Sequence, residues 1–168
     1  MVLVGLVACE VRAPEERTSV ALPSHSSTPA ASTEACTADN VKTLVSSFIR
    51  AFNAGDQGAL ERLWAQPATG WDWFSTDGPD PRINAVADNR DSLAAFFARR
   101  HAKREKLRLT MFKFNGITDT VAGGNFEFTV TRSADDLKPT LYVGKGAAVC
   151  TAVPMTIGVW SMARDPYH

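Results

Sequence analysis

Neither sign of charge is in excess. Lys and Arg total 18, Asp and Glu total 18, and the formal net charge is zero. Nucleic-acid binders and proteins that adhere to anionic membranes carry a clear basic surplus, so neither class is expected. Histidine is scarce, with three in 168 residues. His25, His101 and His168 stand far apart, and no H-x-x-H or C-x-x-C spacing occurs, so no metal site is expected. There is no G-x-S-x-G nucleophile elbow. Gly144-Lys145-Gly146 lacks the third glycine of a dinucleotide loop and has no helix after it, so it reads as a place where a strand bends over its neighbours. No cofactor is implied.

What is present is enough apolar sequence for one domain with a sizeable core, 45% of the residues. Its main feature is TADNVKTLVSSFIRAFNAGDQGALERLWA, residues 37–65. Thr37 is placed as an N-cap, with Asp39 favoured near the positive end of a helix. Val41, Leu44, Val45, Phe48, Ile49 and Phe52 follow helical spacing in one apolar stripe. Asn53 and Gly55 end that helix. Asp56 caps a second, shorter one presenting Ala59, Leu60, Leu63 and Trp64, which Pro67 and Gly70 stop.

Beyond it, Trp71-Asp72-Trp73-Phe74-Ser75 has strand composition, and residues 76–89, with Gly78, Pro79 and Pro81, read as a long loop of the kind that binds or covers ligands. A third helix starts at Asp88 or Asn89, with Leu93, Phe96 and Phe97 inward and Arg100 and His101 on the same face. Leu107, Leu109 and Met111 alternate with polar residues. The apolar parity then switches to Phe112 and Phe114, which predicts a bulge. Asn115-Gly116 and Gly123-Gly124-Asn125 mark a turn region. Phe126, Phe128 and Val130 form a further alternating strand, residues 133–140 a polar link, and residues 141–151 and 155–162 the last two strands. The expected order is α-α-β-α-β-β-β-β.

FIRAFNAGDQGALERLWA, residues 48–65, together with that order resembles the nuclear transport factor 2-like superfamily, also called SnoaL-like or cystatin-like. The resemblance spans roughly residues 37–163. It implies an α+β cone in which a curved antiparallel sheet wraps a long N-terminal helix and leaves a conical pocket. The superfamily includes ketosteroid isomerases, polyketide cyclases, dehydratases, dioxygenase small subunits and binding or scaffold proteins, so the fold does not select an activity. Pairing of two copies through the sheet is frequent in it, and the polar Glu127, Thr129 and Thr131 face is compatible with such a homodimer.

Leu6-Val7-Ala8-Cys9 resembles the lipobox of bacterial lipoproteins, in which the cysteine is acylated. The expected domains are therefore a signal and lipobox remnant at 1–9, a Pro/Ser/Thr/Ala-rich tether at 10–36, the cone at 37–163 and a tail at 164–168. The tether composition buries too little apolar surface to fold. Only eight residues precede Cys9 and none is Lys or Arg, so the signal is read as clipped. An exported, lipid-anchored envelope protein follows, in which Cys36 and Cys150 are expected to be bridged. Closing that loop would stabilise by about 4–5 kcal/mol on the chain-entropy account.

The acid–base candidates are His101, Asp72 and Tyr142. His101 near a helix end is more simply explained by the helix dipole. Asp72 between tryptophans and Glu127 between phenylalanines are expected to face outward, and Tyr142 is open between the pocket and the sheet surface. The basic run Arg99, Arg100, His101, Lys103, Arg104, Lys106, Arg108 reads as a helix terminus followed by a solvated strand face. The expected pocket lining is apolar: Phe48, Phe52, Trp71, Trp73, Phe96, Phe97, Met111, Phe126, Phe128 and Trp160, suited to a small hydrophobic ligand. The reading is a non-catalytic binding or interaction module for such a ligand or a protein partner. The alternative is a small isomerase, cyclase or dehydratase using His101 with Asp72 or Tyr142.

Overall fold

The apolar stripe of residues 41–52 lies on helix α1, Ala38–Ala54, and all six of its residues are buried. Thr37 accepts a hydrogen bond from Asn40 N at 3.2 Å. At the other end Gly55, in the left-handed conformation (φ 71°), donates its N–H to the Ala51 and Phe52 carbonyls. Asp56 then accepts from Ala59 N at 2.9 Å and starts α2, Gln57–Leu63. The computed structural model describes residues 36–65, 73–76, 85–87, 89–118 and 123–167, with backbone alone at 73–76 and 85. Asn89 caps α3, Arg90–Ala102, accepting from Ser92 N at 2.9 Å.

The strands are β1 Trp73–Thr76, β2 Ala85–Ala87, β3 Lys106–Thr118, β4 Gly123–Ala134, β5 Leu137–Val149 and β6 Thr156–Arg164. They form one sheet in the order β2-β1-β6-β5-β4-β3. β3 to β6 are an antiparallel meander, and β1 joins β6 in parallel and β2 antiparallel. Register shifts interrupt the ladders between Leu109 and Met111, Phe114 and Gly116, Arg132 and Ala134, and Ala147 and Ala148. Each bends its strand, and together they curve the sheet over the helices. The result is the expected α+β curved antiparallel sheet wrapped around a long helix.

Several details differ from expectation. β2 falls within residues 76–89, read as a loop; three residues are too few to show a period, and their strand character comes from pairing with β1. Asn115-Gly116 is not a turn: Gly116 (φ 103°) sits inside β3 at a bulge opposite Asn125. Residues 133–140 are not a link, because β4 and β5 run into a tight turn at Asp135-Asp136. Cys150 lies one residue beyond β5 rather than within a strand.

The inner face of the sheet is apolar along Leu107, Phe126, Phe128, Val130, Tyr142, Trp160 and Met162, all buried with α1 and α3. Gly144 and Gly146 do more than allow bending. A Cβ at either would meet the Phe128 or Phe126 ring at 2.3 Å, so the two rings rest directly on the β5 backbone.

Two devices fasten this layer. Cys36 and Cys150 form a disulfide across 114 residues, with Cα atoms 5.4 Å apart, pinning the entry of α1 to the end of β5. Such a bridge belongs to oxidising, exported environments. The second device is ionic. Glu105 is fully buried and shared: one oxygen accepts from Arg100 Nε, the other from Arg132 Nε at 2.8 Å. Arg100 also grips Asp136 with both terminal nitrogens, at 3.1 and 2.8 Å. Arg104, left-handed at φ 53°, turns the chain so that Glu105 passes back beneath α3. Burial opposes the Arg100 charge, but hydrogen bonds to Asp136 and Glu105 outweigh it and raise the guanidinium pKa. The Arg100 hydrogen bond holds the Asp136 carboxyl below its ordinary value of 3.8.

Three outcomes follow. Replacing both Cys36 and Cys150 by Ser lowers the unfolding free energy by about 2–5 kcal/mol in denaturant titrations. Glu105→Gln leaves two buried guanidinium groups undercompensated and costs about 3–5 kcal/mol by the same measurement. Because the folded Asp136 pKa lies below the unfolded one, its contribution is complete above the ordinary carboxylate value of 3.8 and is lost as pH falls through the folded value. Melting temperatures measured from pH 7 downward therefore decline less steeply at the acid end for Asp136→Asn than for the wild type.

Candidate functional site

The conical interior is occupied by aromatic side chains in mutual contact. Phe48 on α1 meets Phe52, Trp64, Phe97 and Trp160, the last with ring centroids 4.7 Å apart. Phe128 stacks on Trp160 at 3.9 Å, and Phe126 touches both. Phe96 continues the cluster through Phe97. Seven of the residues expected to line a pocket, Phe48, Phe52, Phe96, Phe97, Phe126, Phe128 and Trp160, thus belong to one buried core. Met111 does not. The bulge between Leu109 and Met111 turns it to the outer face, where it pairs with Thr129 and is 43% exposed. Trp71 and Asp72 lie outside the described residues, and only the backbone of Trp73 is described.

His101 is exposed and is not on the inner stripe. Its imidazole covers Gly55, where an added Cβ would lie 2.2 Å from the ring. Seven residues from Leu93, Arg100 already fills the inward position; the next residue has rotated past it. Among the described residues no carboxylate meets His101 in a common cleft, and Asp72 lies outside them. Glu127 points outward and lies 3.7 Å from Lys113. Cys9 and residues 10–35 lie outside the described residues.

Tyr142 faces inward and is fully buried. The Arg132 guanidinium sits over its ring at 4.6 Å. Burial pushes the Tyr142 phenol pKa up, while the Arg132 charge pulls it down, and the net shift is upward. The phenol is thus protonated near neutrality and able to donate. Arg132 and Glu105 were not singled out in the sequence. The signal for Arg132 was parity: Phe126, Phe128 and Val130 put it on the buried face, where a guanidinium needs an anionic partner. Glu105, interrupting a basic run, was that partner.

The open apolar feature lies on the other face of the sheet. A groove of about 660 Å³ runs along β5 and β6, lined by Val143, Lys145, Ala147, Val159, Ser161 and Ala163, with Thr118 and Asn125 at one end. Small residues make its floor. A smaller crevice, about 280 Å³, separates α2 from α3. Arg90 there is already engaged by the Ala65 and Glu61 carbonyls, both at 2.8 Å.

No known family model and no curated protein matches this chain. Solved structures do. A protein named as a dehydratase of the nuclear transport factor 2-like family from Streptomyces avermitilis superposes with a TM-score of 0.62 at 18% identity, covering 76% of this chain and 95% of that one. A Caulobacter vibrioides protein with a cystatin-like fold gives 0.61 at 10% identity, covering 77% and 90%. The beta subunit of benzoate 1,2-dioxygenase from Burkholderia mallei gives 0.58 at 8%, covering 77% and 91%. Proteins of this architecture include a named dehydratase and an oxygenase subunit, so the fold alone selects no role. The shared sheet, helices and connectivity give this chain the nuclear transport factor 2-like, cystatin-like fold.

Proposed function

We propose that the chain is a non-catalytic binding module of the cell envelope that docks a protein partner, a second copy of itself, on the outer face of its sheet. The observation that carries this is the location of the open apolar surface. Among the described residues the interior is occupied by rings in contact, whereas the groove over β5 and β6 is open, and Met111 and Val143 are 43% and 41% exposed on the outer face.

The outer face is self-complementary. Across β3, β4, β5 and β6 one register row reads Lys113, Glu127, Lys145, Ser161, and a neighbouring row Met111, Thr129, Val143, Ala163. A two-fold axis along the seam between β4 and β5 exchanges β4 with β5 and β3 with β6. It sets Lys145 of each copy over Glu127 of the other, and Met111 over the small floor at Ala163. Opposite charges meet and a flexible apolar side chain enters a groove. Face-to-face sheets of this kind cross at about 30°, which keeps the central rows in contact. Cys9 as a lipid anchor and residues 10–36 as a tether complete the reading, supported by the lipobox resemblance and by a disulfide suited to export.

Sedimentation equilibrium tests it. The wild type is expected to be a dimer at micromolar concentration, and Met111→Glu or Ala163→Arg to weaken association by about 30-fold or more while leaving the circular dichroism spectrum unchanged. A wild type that stays monomeric at the highest soluble concentration overturns the proposal.

A further inference from the structure

A third opening is lined by no strand of the sheet. It is a crevice of about 450 Å³ walled by α1, α2 and the residues just before β6. Its base is apolar, made by Ala51, Ala54, Ala59, Leu63 and Met155, and the three alanines leave the space between the two helices open. Two cations stand at its rim, Arg50 from α1 and Arg62 from α2, both exposed. Among the described residues neither forms an ion pair. Arg50 Nη2 donates to the neutral Ser47 Oγ at 2.9 Å, which lays its guanidinium along α1. Arg62 folds back over Gly58, where an added Cβ would lie 3.4 Å from its Nη1. Asp56 is the one carboxylate in the wall, and its Oδ1 already accepts from Ala59 N at 2.9 Å as the cap of α2. Two guanidinium groups against one carboxylate leave a single uncompensated positive charge above an apolar base.

We propose that this crevice binds a straight-chain monocarboxylate, its carboxylate held by Arg50 and Arg62 and its acyl chain lying on the alanine floor. Three features define the ligand class. The head carries one negative charge, because the wall lacks one; a phosphate monoester brings nearly two at neutral pH. It is planar and accepts only, which suits the fork of N–H donors on a guanidinium. The remainder is apolar, since nothing but hydrocarbon and the Met155 thioether lines the base. An ion pair at an exposed arginine is weak by itself. The floor changes that, because each methylene it covers multiplies affinity by roughly fourfold. The volume lies within the range of small-molecule sites. The crevice shares no residue with the groove over β5 and β6, so the proposal does not depend on association through the outer face.

The test titrates octanoate, butyrate, 1-octanol and octyl phosphate into the full-length protein labelled with 13C at its methionine methyl groups, and follows Met155 by NMR. Octanoate is expected to shift the Met155 resonance. It is expected to bind at least about tenfold more tightly than 1-octanol, which has the chain without the charge. It is also expected to bind at least about tenfold more tightly than butyrate, which has the charge but too little chain to cover the floor. Arg50→Gln and Arg62→Gln are each expected to weaken octanoate binding about three- to tenfold and to leave 1-octanol binding unchanged. Equal affinities for octanoate and butyrate overturn the proposal, because they mark an ion pair at the surface and nothing more. Equal affinities for octanoate and 1-octanol overturn it as well, because the arginines then select no head group. Tighter binding of octyl phosphate than octanoate overturns the monocarboxylate class. No octanoate binding at millimolar concentration, or a titration that moves Met111 on the outer face and leaves Met155 unmoved, overturns the site.

Discussion

The rest of this structure depends on one buried carboxylate. Glu105 joins the C-terminal end of α3, through Arg100, to the middle layer of the sheet, through Arg132. Arg100 then reaches the β4–β5 turn through Asp136. Backbone bonds run beside these pairs, with Glu105 N on the Arg100 carbonyl and Asp135 N on the Lys103 carbonyl, both at 3.0 Å. The side-chain network and the chain path therefore specify the same arrangement. A buried network of this kind is weak evidence for net stability, since desolvation offsets most of the attraction. Its effect is on geometry. Glu105 immediately precedes β3 and Arg132 lies opposite Leu107, so the ion pair and the β3–β4 register specify the same alignment.

That register decides what the interior can hold. With Phe126 and Phe128 facing inward, their rings need the space above β5, and Gly144 and Gly146 supply it by having no side chain. Trp160 packs against Phe128 and Phe48, joining sheet to α1. The aromatic surface that could have walled a large pocket is spent on itself. Among the described residues the inner face is mostly packed core, with Arg132 and Glu105 its buried polar exception.

The helical part of this architecture was legible in the sequence because period and caps agreed. The stripe from Val41 to Phe52, Thr37 before it and Gly55 after it all specify one helix, and local chemistry sufficed. The parity switch after Met111 likewise revealed a bulge, although not that Met111 itself would be turned outward. What stayed hidden needed partners distant in sequence. β2 exists because β1 lies beside it. Gly116 looked like a turn because a left-handed glycine in a strand bulge and one in a hairpin carry the same signal. His101 and Arg100 are adjacent in sequence, and helical geometry admits only one of them to the buried face. The candidate site was least legible, because pairing two arginines with two carboxylates across residues 100–136 leaves no local pattern.

The two faces of the sheet thus carry different chemistry. The outer face sets the exposed Met111 and Val143 beside the alternating Lys113, Glu127 and Lys145 row. The inner face is apolar apart from Arg132, whose guanidinium lies against Glu105 and over the Tyr142 ring. Because β4 presents Glu127 and Thr129 outward while holding Phe128, Val130 and Arg132 inward, the same strand serves both without either face borrowing a side chain from the other. A change on the outer face would reach the inner core only by moving the backbone, to which the Glu105 network ties β3, β4 and α3.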